Sequence, residues 1–426
     1  MSAVMGLWQF SGGAGLDARW IATSPNHEVY ANLRQRNQLA TLLVMGAVIL
    51  AWYISHSEQS KRYLAWCAMS LLMTCLAATA SRTGAVQLAV LILVMMAARS
   101  AGHRALLRVS IGVLLLYLVA LIVMPWLSEA LGHTNSGLLS RLEDPNAFSR
   151  IALWNNVIEL IAQSPWTGHG WRSLAYAHYS TEFSGQRFME MLDNAHNLPL
   201  HLAVELGMPV AVLFCVLVGW LVYKGRPWAE TRPERLMAWG ILMVIGIHSM
   251  VEYPLWYGPF FLTALLCAMI LLQGWSRDWM QQSSLAGTKS AQYATQLIAI
   301  ALLAFTAFAA FDYHRVSQIY LQPDERSSWY ANDALGAAQK SVLFQSHAKF
   351  AELVITPLSR ASAPRVLQLS SELVHWSPEP RVIEKLIESA VIMGLDDLAA
   401  FHLKRYRVAY PQAYAAWRAQ SATNVL

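Results

Sequence analysis

The residues best suited to chemistry lie in one polar stretch that ends where a long apolar run begins. Asp193-Asn194-Ala195-His196-Asn197 leads directly into Leu198-Pro199-Leu200-His201. His196 is therefore expected at the boundary between water and bilayer, where an imidazole costs little and can act on a membrane-bound substrate. In its neutral form His196 could accept a proton from an attacking hydroxyl, with Asp193 as a candidate orienting group. A purely structural interfacial histidine is the alternative.

Two arginines offer a site for an anionic group. Arg82 lies in the short turn Ala80-Ser81-Arg82-Thr83 between two apolar runs. Arg150 falls in the first turn of a predicted helix, a placement that the helix dipole disfavours. Because a guanidinium forms forked hydrogen bonds with phosphate oxygens, a lipid diphosphate is a natural partner for Arg82. The unfavourable placement of Arg150 hints at an unspecified ligand. For Arg82 the alternative is snorkelling to lipid headgroups.

Two further patterns flank these candidates. The motif Gln35-Arg36-Asn37-Gln38 precedes the first apolar run, and its amides and guanidinium could bind sugar hydroxyls or phosphate. Simple anchoring of a helix end is the alternative. The second pattern is a predicted helix after Arg150, which Pro165 and the following glycines end. We expect four residues to line one face of it: Ile151, Trp154, Ile158 and Ile161.

Zinc is the metal that the nearby histidines would suggest. Their spacing does not match the motifs of zinc enzymes, and one of them falls inside an apolar run. These residues are His169, His178, His196 and His201. We therefore disfavour metal catalysis and infer neither a metal site nor another cofactor.

Composition indicates a polytopic membrane protein. The 426 residues are 56% hydrophobic and only 13% charged, whereas soluble domains carry about 25% charged residues. The net charge of +5 is modest, and no basic run predicts a nucleic-acid partner. All four cysteines fall inside apolar runs, which excludes a disulfide framework for the polar loops.

The fold class predicted from the apolar runs is all-α, with about eight membrane spans. A span needs about 20 apolar residues, so the first three runs must borrow flanking residues. The runs are Leu39–Ile54, Tyr63–Thr79, Gly84–Ala98, Leu106–Trp126, Leu198–Tyr223, Leu236–Val251, Leu255–Trp275 and Ala291–Phe311.

Lysines and arginines set the predicted orientation. Alternate short loops hold Lys61, Arg62, Arg99, Arg104, Arg108, Lys224, Arg226, Arg232, Arg235, Arg277 and Lys289. Because cytoplasmic loops carry the excess of basic residues, we assign that side to the cytoplasm of a bacterial inner membrane. The periplasmic side then receives all the candidate site residues.

Three segments follow from this topology. Residues 1–36 form a periplasmic entry segment without the charge and apolar pattern of a cleavable signal peptide, so we expect the chain to enter partway through a larger membrane architecture. Residues 37–311 form the transmembrane domain, with a periplasmic loop at 127–197. Residues 312–426 form a soluble periplasmic helical domain. Aromatic residues near Pro378 and Pro411 recur there at the tetratricopeptide period of about 34 residues, which favours a TPR-like fold over an irregular helical cap.

Together these features resemble the O-antigen ligase-like superfamily, specifically the bacterial pilin-type protein O-oligosaccharyltransferases. The most specific matches are the stretch from Asp193 to Gly207 and Glu252-Tyr253-Pro254-Leu255-Trp256-Tyr257. The second motif and the soluble tail are more similar to the protein-glycosylating branch than to lipopolysaccharide ligases.

The resemblance implies a glycosyltransferase with a periplasmic active site. Such enzymes move a preassembled oligosaccharide en bloc from undecaprenyl diphosphate to Ser or Thr hydroxyls of a pilin or another protein, without metal, and direct displacement would invert the anomeric centre. Carried over by motif, His196 is the catalytic histidine, and Arg82 and Arg150 bind the diphosphate. Gln35 and Tyr253 match the remaining substrate-binding positions.

Two departures and three alternatives accompany this interpretation. Arg36 stands where relatives often have proline, and relatives usually carry several more spans before this point. The chain could instead be an O-antigen ligase acting on lipid A-core, or a polysaccharide polymerase whose acceptor is another lipid-linked glycan. A transporter is the third alternative, although broken helices or mid-span charges would be expected there.

Overall fold

The computed structural model describes residues 1–13, 20–24, 27–97, 103–132, 149–282 and 289–423. Within these ranges the chain is helical and has no strand, which confirms the predicted all-α class. The helices are α1 (Ser2–Phe10), α2 (Arg36–His56), α3 (Gln59–Ala78), α4 (Arg82–Ala97), α5 (His103–Ala130), α6 (Ser149–Gln163), α7 (Leu174–Ser180), α8 (Leu198–Leu206), α9 (Met208–Gly225), α10 (Pro233–Ser249), α11 (Gly258–Gln282), α12 (Lys289–Ser317), α13 (Ala334–Gln339), α14 (Gln345–Ile355), α15 (Ala363–Trp376), α16 (Pro380–Ile392), α17 (Asp396–Ala409) and α18 (Pro411–Thr423).

The described helices include segments that are long and apolar enough to cross a bilayer. Four meet that criterion: Arg36–His56, Ala105–Ala130, Met208–Ala229 and Gln296–Tyr320. Two shorter apolar helices accompany them, Arg82–Met96 and Gly258–Leu272. The protein is therefore a helical membrane protein, while the count of eight spans and the orientation stay predictions. Several residues used for those predictions lie outside the described residues, namely 14–19, 25–26, 98–102, 133–148 and 283–288.

The predicted span Leu198–Tyr223 is not one helix, because the chain breaks at Gly207 between α8 and α9. Gly207 has φ +88°, a conformation that only glycine adopts without strain. The segment after α6 runs against this break and pairs with it through backbone hydrogen bonds. His169 N–H donates to Val204 O at 2.9 Å, and Met208 N–H donates to Pro165 O at 2.8 Å. The apolar pattern could not reveal this crossing.

The chain forms two compact units, of which the first holds Met1–Arg150, His196–Pro199 and Val212–Asp278. Its apolar core is shared by α2, α3, α4, α5 and α10, and includes Leu39, Met69, Leu88, Val113 and Ile241. Polar side chains of α2, α4 and α10 are also buried in this unit, although unpaired polar groups are costly at membrane depth. These helices therefore carry more than apolar packing.

The second unit holds Ile151–Ala195, Leu200–Ala211 and Trp279–Leu426. Helices α14 to α17 pack each against the next in chain order, and the loop helix α7 packs against both α15 and α17. The hydroxyl oxygen of Tyr179, on α7, lies 3.1 Å from His402 Nδ1. Arg405 donates a hydrogen bond from Nε to Ser180 O at 2.8 Å. The polar loop is thus held by the C-terminal helices, whose TPR-like character stays a prediction.

The crossing at Gly207 predicts a sharp sensitivity to added atoms. A Cβ built on Gly207 overlaps the carbonyl oxygen of Trp166 and lies 2.5 Å from its carbonyl carbon. Gly207→Ala should therefore lower the free energy of unfolding by about 3 kcal/mol, from overpacking together with an unfavourable positive φ. Thermal unfolding of the detergent-solubilised protein measures the loss.

The matched control is Gly219→Ala, in the apolar helix α9 that follows. A Cβ at Gly219 meets nothing within 4 Å, and alanine has the higher helix propensity. Its midpoint temperature should equal or slightly exceed that of the native protein. Equal unfolding midpoint temperatures for the two variants would contradict the close approach of the Trp166 backbone to Gly207.

Candidate active site

Glu252 is the residue on which the site converges. It follows the end of α10, and its backbone N–H donates to His248 O at 2.8 Å. The carboxylate is 8% exposed and contacts two cationic or potentially cationic groups, with Oε2 3.0 Å from His196 Nδ1 and Oε1 2.6 Å from Arg150 Nη2. Asn37 Nδ2 donates to the same Oε1 at 3.3 Å. One buried carboxylate therefore joins three parts of the chain that are far apart in sequence.

The backbone and ring of His196 are constrained from several sides. Its φ of +50° is unusual for a residue with a side chain, and such strain often accompanies functional positions. The ring of Tyr253 packs edge-on against the imidazole of His196, with 5.0 Å between the two ring centroids. Asn197 Nδ2 donates to Met250 O at 3.0 Å, which ties the following residue to the end of α10. When Nδ1 donates its proton to Glu252, the lone pair of the neutral imidazole lies on Nε2.

A second branch of the network leads to Arg82. Asn37 Oδ1 accepts a hydrogen bond from Ser81 Oγ at 2.7 Å, and Ser81 Oγ accepts one from Gly84 N–H at 3.1 Å. Ser81 thereby caps α4, whose first residue is the exposed Arg82. Arg82 and Arg150 are thus connected through Ser81, Asn37 and Glu252, and both stand at helix N-termini.

Gln35 has a capping role in this structure. Its Oε1 accepts the N–H of Gln38 at 2.6 Å, so Gln35 is the N-cap of α2. That cap sets the start of the helix whose first turn carries Asn37. The neighbouring Arg36 pairs with Glu28 at 3.4 Å. The motif therefore places an amide at the site through Asn37, whereas the family resemblance had pointed to Gln35.

The electrostatics favour an ionised Glu252. Burial alone would raise the pKa of this carboxyl. The hydrogen bond and charge of His196, followed by the charge of Arg150, outweigh burial and lower the pKa of Glu252 below its ordinary value. A carboxylate that stays charged can orient the imidazole and stabilise its protonated form.

Buried polar groups of α2, α4 and α10 support the ends of the helices that carry the site. Thr41 Oγ1 lies 2.8 Å from His248 Nδ1, and Gln87 Nε2 donates to Thr41 Oγ1 at 3.0 Å and to Val244 O at 2.9 Å. All three side chains are fully buried. These hydrogen bonds link α2, α4 and α10 near Asn37, Ser81 and Glu252.

The structure brings together most of the predicted site residues. His196, Arg150 and Tyr253 meet around Glu252, and Arg82 joins through Ser81. The sequence analysis missed Glu252 as the partner of the histidine and considered the nearby Asp193 instead. An acidic residue beside Tyr253, in a turn predicted on the same side as His196, was the signal that could have identified it.

The other histidines considered for zinc have separate partners. His169 Nε2 lies 2.9 Å from Leu160 O, and His178 Nε2 lies 3.3 Å from Asn156 Oδ1. Burial, and then the charge of Arg187, lower the pKa of His178 to about 3. His201 Nδ1 accepts the N–H of Ala195 at 3.4 Å. Among the described residues, no three His, Cys, Asp or Glu side chains are grouped as a metal site requires.

Comparison with known protein families matches the chain in three consecutive segments. Residues 29–53 match the protein glycosylation ligase family, and residues 67–215 match the O-antigen ligase family. Residues 236–424 match the family described as the C-terminal part of a virulence factor membrane-bound polymerase. The first segment includes Asn37, the second includes Arg82, Arg150 and His196, and the third includes Glu252.

One curated relative is a general O-oligosaccharyltransferase from Acinetobacter baylyi. It is 26% identical over 267 residues, which cover 61% of this chain and 46% of the relative. The chain thus spans about half the length of that relative. No solved structure matches the chain. The matched segments and this relative support placing the chain in the O-antigen ligase-like superfamily, with similarity to its O-oligosaccharyltransferase branch.

Proposed function

We propose that this protein transfers a preassembled oligosaccharide en bloc from undecaprenyl diphosphate to Ser or Thr hydroxyls of a pilin-like protein in the periplasm. The observation that carries this proposal is the pairing of one buried carboxylate with both His196 and Arg150. A general base and an anion-binding group held by a common residue suit the attack of a hydroxyl on a glycosyl diphosphate.

In the proposed step the acceptor hydroxyl oxygen forms a bond with the anomeric carbon of the glycan. The bond between that carbon and the diphosphate oxygen breaks, and its electron pair leaves with the diphosphate. The hydroxyl proton passes to His196 Nε2, and Glu252 stabilises the resulting imidazolium. Arg150 and Arg82 stabilise the charge on the leaving diphosphate. Attack opposite the leaving group inverts the anomeric centre, and no metal is required.

The residues that contact the proposed substrates have distinct roles. Arg150 donates from Nη2 to Glu252, and a guanidinium has five N–H donors with which it can also bind phosphate oxygens. Tyr253 packs edge-on against His196 and stacks on Tyr257 at 6.0 Å between centroids, which positions the imidazole. Gln35 acts through the α2 cap that places Asn37.

A second candidate function is polymerisation, with a hydroxyl of another lipid-linked glycan as acceptor. The match of residues 236–424 to a polymerase family favours it. Ligation to lipid A-core would use the same chemistry with a third acceptor. The site geometry suits any hydroxyl, so the acceptor distinguishes these functions.

The direct test co-expresses the full chain with a pilin acceptor and a lipid-linked glycan and measures the intact mass of the pilin. We expect a mass increase of one complete glycan. His196→Ala should reduce the product by about 10²- to 10⁴-fold, the usual contribution of a general base, and Arg82→Ala should also reduce it. If both variants formed as much glycosylated pilin as the native protein, the assignment of His196 and Arg82 to the active site would be refuted. Glycan found only on lipid A-core, or as longer lipid-linked chains, would select the ligase or the polymerase.

The role of Glu252 predicts a contrast between two carboxylates. Glu252→Gln keeps the size of the side chain but removes the charge that orients His196, so transfer should fall by about 10²-fold. Asp193→Asn neutralises an exposed carboxylate closer to His196 in sequence and should leave transfer unchanged. Quantifying glycosylated pilin in cells with equal amounts of each variant measures both. The reverse ranking would show that Asp193 orients the histidine.

The lowered pKa of Glu252 also predicts how stability depends on pH. A carboxyl whose pKa is depressed in the folded protein stabilises it above the unfolded pKa of about 4.3, and this stabilisation is lost as the pH falls through the folded pKa. The native protein should therefore unfold at a higher temperature than Glu252→Gln at pH 7, and the difference should shrink below pH about 4. Thermal unfolding in detergent from pH 3 to pH 7 measures it. A difference that stays constant or grows in acid would contradict the ion pairing.

A further inference from the structure

Helix α6 has apolar side chains on two faces, and the described residues of the chain cover one of them. Its covered face packs into a buried cluster within the second compact unit. The members that α6 contributes are Leu153, Val157, Leu160 and Ile161. Ile161, expected on the same face as Ile151 and Ile158, therefore belongs to the covered face, and Trp154 donates from Nε1 to Ala195 O at 3.1 Å.

The other face of α6 is an exposed stripe without charge. Ile151 is 51% exposed and Ile158 is 54% exposed. Asn155 and Ala162 continue the stripe at helical spacing and are also exposed. The nearby Glu159 is turned away, because its carboxylate accepts from Ser184 Oγ at 3.3 Å. Large aliphatic side chains in a row are costly in water unless another apolar phase covers them.

The stripe ends where a membrane span begins. Beyond α6 the indole of Trp166 is 77% exposed. The preceding residue, Pro165, accepts the N–H of Met208 at 2.8 Å, and Met208 is the first residue of the span Met208–Ala229. The end of the stripe therefore lies near the start of a candidate membrane span, at the level where the chain is expected to enter the hydrocarbon. Exposed tryptophans are enriched at that level, where an indole meets both lipid and water.

We propose that α6 lies in the plane of the membrane surface, with Ile151, Ile158 and Ala162 inserted at the boundary between lipid headgroups and acyl chains. Such helices bury their apolar face about 5–10 Å into that boundary. The occupant of the stripe is bilayer lipid, because the chain just beyond the stripe is hydrogen-bonded to the first residue of the candidate span Met208–Ala229. Because the described stripe contains no Lys or Arg, its insertion does not require lipids with anionic headgroups. Arg150, in the first turn of α6, is then held at headgroup depth.

The test measures the depth of one stripe residue in the reconstituted full chain. The four native cysteines are replaced by alanine, Ile158→Cys is labelled with an environment-sensitive fluorophore, and the protein is placed in phosphatidylcholine vesicles. The matched control is Val391→Cys on α16, which is 57% exposed in the described residues. Quenching by lipids that carry a nitroxide near the headgroup is compared with quenching by a water-soluble nitroxide.

We expect lipid nitroxides to quench the label at 158 several-fold more than the label at 391, and the aqueous nitroxide to show the reverse order. Equal aqueous quenching at both positions would overturn the proposal, and so would protection of position 158 from both quenchers, which would indicate a protein partner. If the cysteine-free chain does not fold, a photoreactive amino acid at position 158 of the native chain replaces the label. Crosslinks to lipid support the proposal, and crosslinks to another protein or a second copy overturn it.

Discussion

The site depends on a single buried carboxylate. Glu252 is ionised in a largely buried position, and an isolated charge there would be costly. Its cost is offset by the contacts with His196, Arg150 and Asn37. Removing one partner would leave the carboxylate with uncompensated charge, so the three must be kept together. The same electrostatic requirement that holds the first unit together at this point also aligns the proposed base, His196, with Arg150, the arginine proposed to bind the diphosphate.

The buried polar network explains how the carboxylate is kept in place. Glu252 is anchored through its backbone to the last turn of α10, and that turn is linked by His248 to Thr41 on α2. Because Asn37 lies one turn before Thr41 on the same helix, movement of α10 against α2 would strain both the buried network and the site. Catalytic geometry is sensitive to small displacements. The buried polar side chains of α2 and α10 thus help to hold Asn37 and Glu252 in position.

The sequence predicted the residue types of the site better than their partners. Hydropathy identified helices, and the distribution of lysine and arginine predicted that His196, Arg82 and Arg150 lie on one side of the membrane, because both patterns depend on local composition. Neither pattern could predict that Glu252, rather than Asp193, contacts the imidazole, because that contact depends on how α10 packs in the bundle. The break at Gly207 was missed for a similar reason. A glycine inside an apolar run is ambiguous until the backbone of Pro165 and Trp166 is seen to cross it.

Acceptor choice must be made outside the catalytic network. In the proposed mechanism His196 and Glu252 would activate any hydroxyl, so their geometry does not separate a protein from a glycan or lipid A-core. A soluble helical domain would suit a protein acceptor, but α15 and α17 already bind α7 through Tyr179 and Arg405. A peptide using that face would have to displace α7, at the cost of the buried hydrogen bond between Tyr179 and His402. Another surface of these helices is therefore the better candidate for acceptor recognition, and their first role is to hold the loop that precedes His196.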